Sequence, residues 1–169
     1  EMLTFFKLLN QKHSEWIFLF VTPDPPATIE SEAKKINLDT NNIRIISANR
    51  GEMPTLISLC DISIFFIKPV WSKKASSPTK MGEILSMGKP IICNAGVGDV
   101  DSIINDENAG LLINDFTDKS YEAAIGKIEQ LIQTEANLYR ETAKKYFSLH
   151  NGVNEYFRIY KQLSTDLPS

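Results

Sequence analysis

The chain has 169 residues, 43% of them hydrophobic and 23% charged, with 18 basic against 21 acidic side chains and a net charge of −3. That length and composition suit one folded domain with its own core and exclude a disordered tail. A pI near 5.4 and the lack of any Lys/Arg run argue against non-specific binding to nucleic acid or to an anionic membrane.

The longest strongly apolar stretch, Trp16 to Val21, falls far short of the roughly 20 residues that span a bilayer. Cys60 and Cys93 sit in apolar surroundings without CxxC or histidine-rich company, and read as reduced core residues of a cytosolic protein. The first residues already look like mid-helix, and no basic segment or small-residue cleavage site marks a signal peptide. Residues 1–169 are therefore expected to be a single domain taken from a longer protein.

In chain order, Met2 to Leu9 has helical apolar spacing, and Trp16–Thr22 (WIFLFVT) reads as a strand buried on both faces. Pro23–Pro26 breaks the chain before a short helix at Ile29–Ile36. Strand Ile43–Ser47, helix Pro54–Cys60 and strand Ile62–Ile67 follow. A helix is expected from about Thr79 to Met87, ended by Gly88, and then strands Pro90–Asn94 and Gly110–Ile113. The rest reads as helical: Ala123 to Ile132, Ala136 to Tyr146 and Val153 to Leu163. Strands that alternate with helices and lack polar alternation predict a three-layer α/β domain with a mostly parallel sheet. In such sheets ligands sit at the carboxyl ends of the strands. The candidate segments are therefore Thr22–Asp24, Ala48–Arg50, Lys68–Lys80 and Ala95–Asp101.

Lys68–Gly88 is the strongest of these, a basic loop that feeds a helix through Ser76-Ser77-Pro78-Thr79. Ser77 is expected to cap the helix, with Pro78 at its first position. The residue three after Ser77 is Lys80 rather than the Glu or Gln of a capping box. Free N–H groups, the positive end of the helix dipole and a lysine suit a phosphate or pyrophosphate; an ordinary capped helix beside a solvated basic loop is the alternative. Met81, Ile84 and Leu85 form the buried stripe of this helix, which puts Thr79, Glu83 and Ser86 in one band opposite, with Lys80 at its edge. Glu83 is placed to accept two hydrogen bonds from a ribose diol, or to pair with Lys80 at i, i+3 in water. Two glycines two apart, Gly96 and Gly98, let backbone approach a ligand or merely turn. The segment GVGDVD is neither a dinucleotide fingerprint nor a P-loop, and no long helix is expected after it. Trp71 can stack on a ligand, cover the sheet edge or meet another domain. His13 and His150 read as solvated, and Asp61 lies at the wrong sheet edge for the phosphoacceptor of a receiver domain. No nucleophile–histidine arrangement can be assembled.

At SSPTKMGEILSMGKPIICNAGVGD the sequence resembles the nucleotide-sugar-binding, C-terminal half of retaining family 4 glycosyltransferases, whose GT-B fold sets two Rossmann-like domains face to face. The likeness covers roughly residues 16–165. It implies transfer of a sugar, of the hexosyltransferase type, from a nucleotide diphosphate-sugar donor to an acceptor hydroxyl without a metal, as in polysaccharide biosynthesis. Glu83 matches the second Glu of the E-x7-E motif that holds the ribose. Thr79 and its neighbours, with Lys80 and Ser77, match the helix start that meets the diphosphate. Arg50 lies in the matching base loop, while Lys74, Ala75, Ser76, Gly96 and Gly98 lie near the donor sugar. Ala75 stands where many members carry the first Glu, which puts that sugar contact in doubt. The resemblance further implies that an acceptor-binding domain, a strand ahead of Met2 and a glycine-rich loop lie upstream, and that residues 147–169 dock on that domain. The fragment would then be inactive alone and its parent cytoplasmic, with the inner membrane face as the place of any peripheral attachment. Two other readings remain open, a GT-B nucleotide-sugar epimerase and a non-catalytic glycosyltransferase-like interaction module. The epimerase would need acid/base residues that the loops largely lack; Ala75 favours the module, and the joint presence of Thr79, Lys80 and Glu83 disfavours it.

Overall fold

The computed structural model describes residues 1–68 and 70–165. Helices and strands alternate as α1 (Met2–Lys12), β1 (Phe18–Val21), α2 (Pro26–Lys35), β2 (Ile43–Ile46), α3 (Met53–Leu59), β3 (Ser63–Phe65), α4 (Thr79–Ser86), β4 (Ile91–Asn94), α5 (Val100–Glu107) and β5 (Gly110–Ile113). Helices α6 (Asp118–Ile125), α7 (Ile128–Ile132), α8 (Ala136–Phe147) and α9 (Leu149–Thr165) complete the described chain. The pairings are all parallel, but they form two sheets, β1-β2 and β3-β4-β5.

Helices cover both faces. On one face α1, α2, α6 and α7 bury Phe5, Phe6, Leu9, Ala33, Tyr121 and Ile125 against both sheets. On the other, α3, α4, α5 and α8 enclose Ile57, Met81, Leu85, Ile103 and Tyr139. β4 lies between these layers with all four residues buried, as an apolar parallel strand with two paired edges requires.

The structure corrects several expected boundaries. Ala123–Ile132 is not one helix: α6 ends at Ile125, and α7 starts after Gly126 and Lys127. A helix not expected from the sequence, α5, begins directly after the glycine loop. Residues 147–169 contain α9, which starts at Leu149; 166–169 lie outside the described residues. Strands β1 and β3 are shorter than the apolar runs that contain them and only half-buried, which the two-faced burial read from sequence did not anticipate.

The stop of α4 is built as its sequence implies. Gly88 takes φ +73°, the left-handed conformation that glycine adopts without a Cβ penalty. Its N–H donates to the Leu85 carbonyl, and the Lys89 N–H reaches back to Ile84, the paired bonds of a Schellman ending. One turn earlier Gly82 lets α8 come close: a methyl there would lie 2.7–2.9 Å from Phe147. Gly82→Ala is therefore expected to destabilise by about 1–3 kcal/mol through overpacking, although alanine is the better helix former. A thermal melt checks this; a Tm equal to or above that of the parent would show that Phe147 yields freely.

Candidate functional site

The site edge is set by chain direction: the segments after β1 to β5 all leave at the carboxyl ends of parallel strands. Asn94, the last residue of β4, is 4% exposed and joins two of those segments. Its Oδ1 accepts the Ile67 N–H at 2.7 Å and its Nδ2 donates to the Ala95 carbonyl at 3.0 Å. The basic loop and the glycine loop therefore start from one buried amide.

They meet again further out. Gly98 takes φ +50°, and a Cβ there would fall 1.8 Å from the Ser76 carbonyl oxygen, so only glycine lets the two backbones touch. Beside this contact the Ser77 hydroxyl donates to the Asp99 carboxylate at 3.2 Å. Asp101 accepts the Gly96 N–H on both carboxylate oxygens, at 3.0 and 3.2 Å, and so closes the glycine turn. Two segments twenty residues apart are thus fixed to each other just ahead of α4.

This geometry corrects the expected cap. Pro78 occupies the N-cap position, with φ −71° and ψ 108°, and α4 starts at Thr79 without any side-chain cap. The Ser77 hydroxyl, one residue ahead of the N-cap, instead donates to the Asp99 carboxylate and so ties this segment to the glycine loop. No side chain caps α4: the Met81 N–H donates to the Pro78 carbonyl at 2.9 Å, while the Thr79 and Lys80 N–H groups ahead of it meet no side-chain acceptor, the condition in which a helix start attracts an anion.

The rest of α4 presents what its spacing implies. Met81, Gly82, Ile84 and Leu85 are buried, while Thr79, Lys80, Glu83 and Ser86 are exposed on the other side. The Ser86 hydroxyl turns back to the Gly82 carbonyl at 2.6 Å, which leaves Thr79, Lys80 and Glu83 facing outward. No Lys80–Glu83 ion pair forms among the described residues, and Lys68, Lys73, Lys74 and Lys80 have no carboxylate partner there.

Lys74 and Ala75 belong to an exposed 3-10 turn, Trp71–Ala75, in which Trp71 is 86% exposed. Pro69, inside the expected basic segment, lies outside the described residues. Arg50 sits exposed after β2, in a turn held by reciprocal bonds between Asn49 and Glu52. It shares the sheet edge but makes no hydrogen bond to the loops after β3 and β4 among the described residues. Cys93 is buried beneath the site, and desolvation first and the Asp101 carboxylate second push its thiol up to about 12, which keeps it protonated and unreactive. Two concavities lie away from the site, one lined by Ile29, Glu30, Thr40, Ile43 and Ile45 and the other by residues that include Glu107, Glu141 and Lys145.

Sequence reasoning passed over Asn94 and Asp99. An amide closing an otherwise apolar strand was the available signal for Asn94, since a polar group carried into a core must find partners. Asp99 carried none, because its partner is twenty-two residues away.

With this geometry in view, the comparisons with known proteins decide the family. The family described as Glycosyl transferases group 1 matches residues 1–146. The chain belongs to it. Two solved structures share the fold at identities too low to show more than that. One is WaaG, a glycosyltransferase involved in lipopolysaccharide biosynthesis, with TM-score 0.65 and 19% identity over 86% of this chain and 39% of that one. The other is AviGT4, a glycosyltransferase involved in avilamycin A biosynthesis, with TM-score 0.68 and 12% identity over 96% of this chain and 47% of that one. This chain thus spans less than half the length of either. Among curated proteins, none matches it by sequence. The Rossmann-like α/β arrangement of one half of a GT-B enzyme, implied by the sequence motif, is what this group 1 chain has.

Two substitutions test how the site is held. Gly98→Ala is expected to push Ser76–Thr79 off the glycine loop and to shift the backbone amide resonances of Ser76, Ser77 and Thr79. Unchanged resonances across 76–79 would mean the loops are independent. Asn94→Ala leaves the Ile67 N–H without its acceptor and is expected to cost about 1–3 kcal/mol in chemical denaturation; a loss below a few tenths would show that water replaces the amide.

Proposed function

We propose that this chain is the donor-binding half of a retaining, metal-independent glycosyltransferase and holds the nucleoside diphosphate of an activated sugar. The observation that carries the reading is the uncapped start of α4, with unpaired Lys80 and, one turn on, outward-facing Glu83, in a chain of the group 1 family. The Thr79–Lys80 turn and the neighbouring Ser77 receive the diphosphate, whose charge suits helix amides and an ammonium group. Glu83 accepts the ribose hydroxyls, and Gly96 and Gly98 admit the ligand close to backbone. Lys74, Ala75 and Ser76 border the sugar, where a methyl at residue 75 offers no hydrogen bond, so sugar recognition falls to other groups. Arg50 serves the base. As the glycosidic bond breaks, Lys80 and the α4 amides stabilise charge on the departing diphosphate.

The acceptor hydroxyl and its domain are assigned to the remainder of a longer polypeptide, without which the chain does not turn over. The exposed apolar face of α9 supports this assignment. Val153, Tyr156, Phe157, Tyr160 and Leu163 recur at helical spacing and are all exposed, a stripe suited to docking on another domain. We place the parent in the cytoplasm, with any membrane attachment peripheral and at the inner face, building a polysaccharide or a similar glycan.

Titration with UDP, GDP, ADP and CMP, followed by ligand-observed NMR, tests the site. One nucleotide is expected to bind selectively, in the millimolar range of about −4 kcal/mol. Glu83→Ala should weaken it about 5- to 150-fold, the equivalent of roughly 1–3 kcal/mol for unmet hydrogen bonds. Equal affinity in parent and variant would remove Glu83 from the site.

A further inference from the structure

Asp99 is a carboxylate set beside the turn proposed to hold a diphosphate. It stands at the N-cap of α5, where an aspartate ordinarily accepts an N–H of its own first turn. Here its backbone holds φ −91° and ψ 3°, away from the extended values of such a cap, and the carboxylate makes no cap bond. The preceding turn accounts for this: the Val100 N–H donates to the Val97 carbonyl at 3.1 Å, across Gly98 at φ +50°. Among the described residues, the one hydrogen bond of the Asp99 carboxylate comes from the Ser77 hydroxyl, two residues ahead of Thr79.

That bond is the weakest of the ties in this region. Gly98 meets Ser76 backbone to backbone, and Asp101 holds the Gly96 N–H with both carboxylate oxygens. The Ser77–Asp99 bond joins two exposed side chains, and at 3.2 Å it is longer than the about 2.5–2.7 Å of a strong O–H···O⁻ bond. It can break without parting the two loops.

The chemistry of Ser77 requires the break. A hydroxyl has one proton to donate. While that proton points at Asp99, Ser77 offers only lone pairs to an arriving anion, and the carboxylate adds a like charge close by. A Ser77 that receives the diphosphate must first release Asp99. The released carboxylate keeps a favourable place, exposed to water and beside the positive end of α5.

We infer that Asp99 is the internal anion of the empty site and that the diphosphate exchanges with it. The Ser77 hydroxyl leaves the Asp99 carboxylate and donates to a phosphate oxygen, while Asp99 turns to water at the start of α5. No covalent bond changes: one hydrogen bond to a carboxylate is replaced by one to a phosphate. Asp99 thereby holds down the affinity for the diphosphate and favours its departure after transfer. The inference rests on the donor-site reading above and concerns only how Ser77 and Asp99 serve it.

A double-mutant cycle tests it, with UDP, GDP, ADP and inorganic pyrophosphate titrated into the parent, Asp99→Ala, Ser77→Ala and the double variant. Pyrophosphate makes the test independent of the base. Asp99→Ala is expected to bind about tenfold more tightly than the parent, since Ser77 no longer has a bond to give up. Ser77→Ala should change the parent by less than about twofold, because it removes one bond from the free and one from the bound state, yet weaken the Asp99→Ala protein about tenfold. Asp99→Asn, which keeps an acceptor without the charge, should tighten binding less than Asp99→Ala, and Ser77→Thr should behave as the parent; these two milder variants guard against a fold defect. Equal effects of Ser77→Ala in both backgrounds, or weaker binding by Asp99→Ala and Asp99→Asn alike, would overturn the exchange and leave the donor site standing. No binding of any probe by any of the proteins would overturn the donor-site reading itself, and the exchange with it.

Discussion

The two-sided burial of β4 is the constraint on which the candidate site depends. Its four residues face helices on both sides and strands on both edges, so β4 cannot slide without exposing apolar surface and breaking two ladders. Asn94 ends that strand inside the core, where an unpaired amide would cost more than its bonds return. Its two hydrogen bonds therefore fix the first residues of both site loops relative to the sheet. Contact of Gly98 with Ser76 fixes the loops again near their outer ends.

Helix α4 inherits its position from the same core. Met81 and Leu85 are fully buried against β4 and α5, and Gly82 lets Phe147 of α8 press on the helix backbone. A helix gripped on both of its turns presents its opposite band rigidly, so Lys80 and Glu83 need no side-chain partner to be well placed. Leaving them unpaired has a small cost, since an exposed i, i+3 ion pair would contribute only a few tenths of a kcal/mol. An unpaired cation and carboxylate on a rigid face are also what a charged, polar ligand requires.

Much of this was legible in the sequence, and the failures have separate physical causes. The strands announced themselves because WIFLFV and PIICN lack the alternation of a one-sided sheet, and Gly88 announced its stop because a left-handed residue follows the last buried position. Helix α5 was hidden because VDSIINDE contains two Asp and an Asn, poor interior helix formers, and is held by burial of Val100, Ile103 and Ile104. The Ser77 cap failed because the helix starts one residue later than its serine suggests: Pro78 takes the N-cap position, and the Ser77 hydroxyl turns to Asp99 on another loop. The split sheet was invisible for a different reason. An apolar strand reads the same whether its neighbour is present or not, and half-burial of Phe18 and Ile64 is a property of surroundings that the run itself does not encode.

That split bears on how the candidate residues act together. Arg50 is carried by the β1-β2 sheet, whereas Lys80, Glu83 and the glycine loop belong to the β3-β4-β5 sheet. Among the described residues no ladder joins the two sheets, and an apolar layer that includes Phe5, Phe6, Phe18 and Phe66 couples them. Apolar burial favours contact without specifying register, whereas a ladder of backbone hydrogen bonds fixes both spacing and direction. The reach from the Arg50 turn to the start of α4 is thus less tightly set than the geometry within either sheet. Each set of loops is preorganised by its own strands, and the packing of α1 across both sheets sets the distance between them.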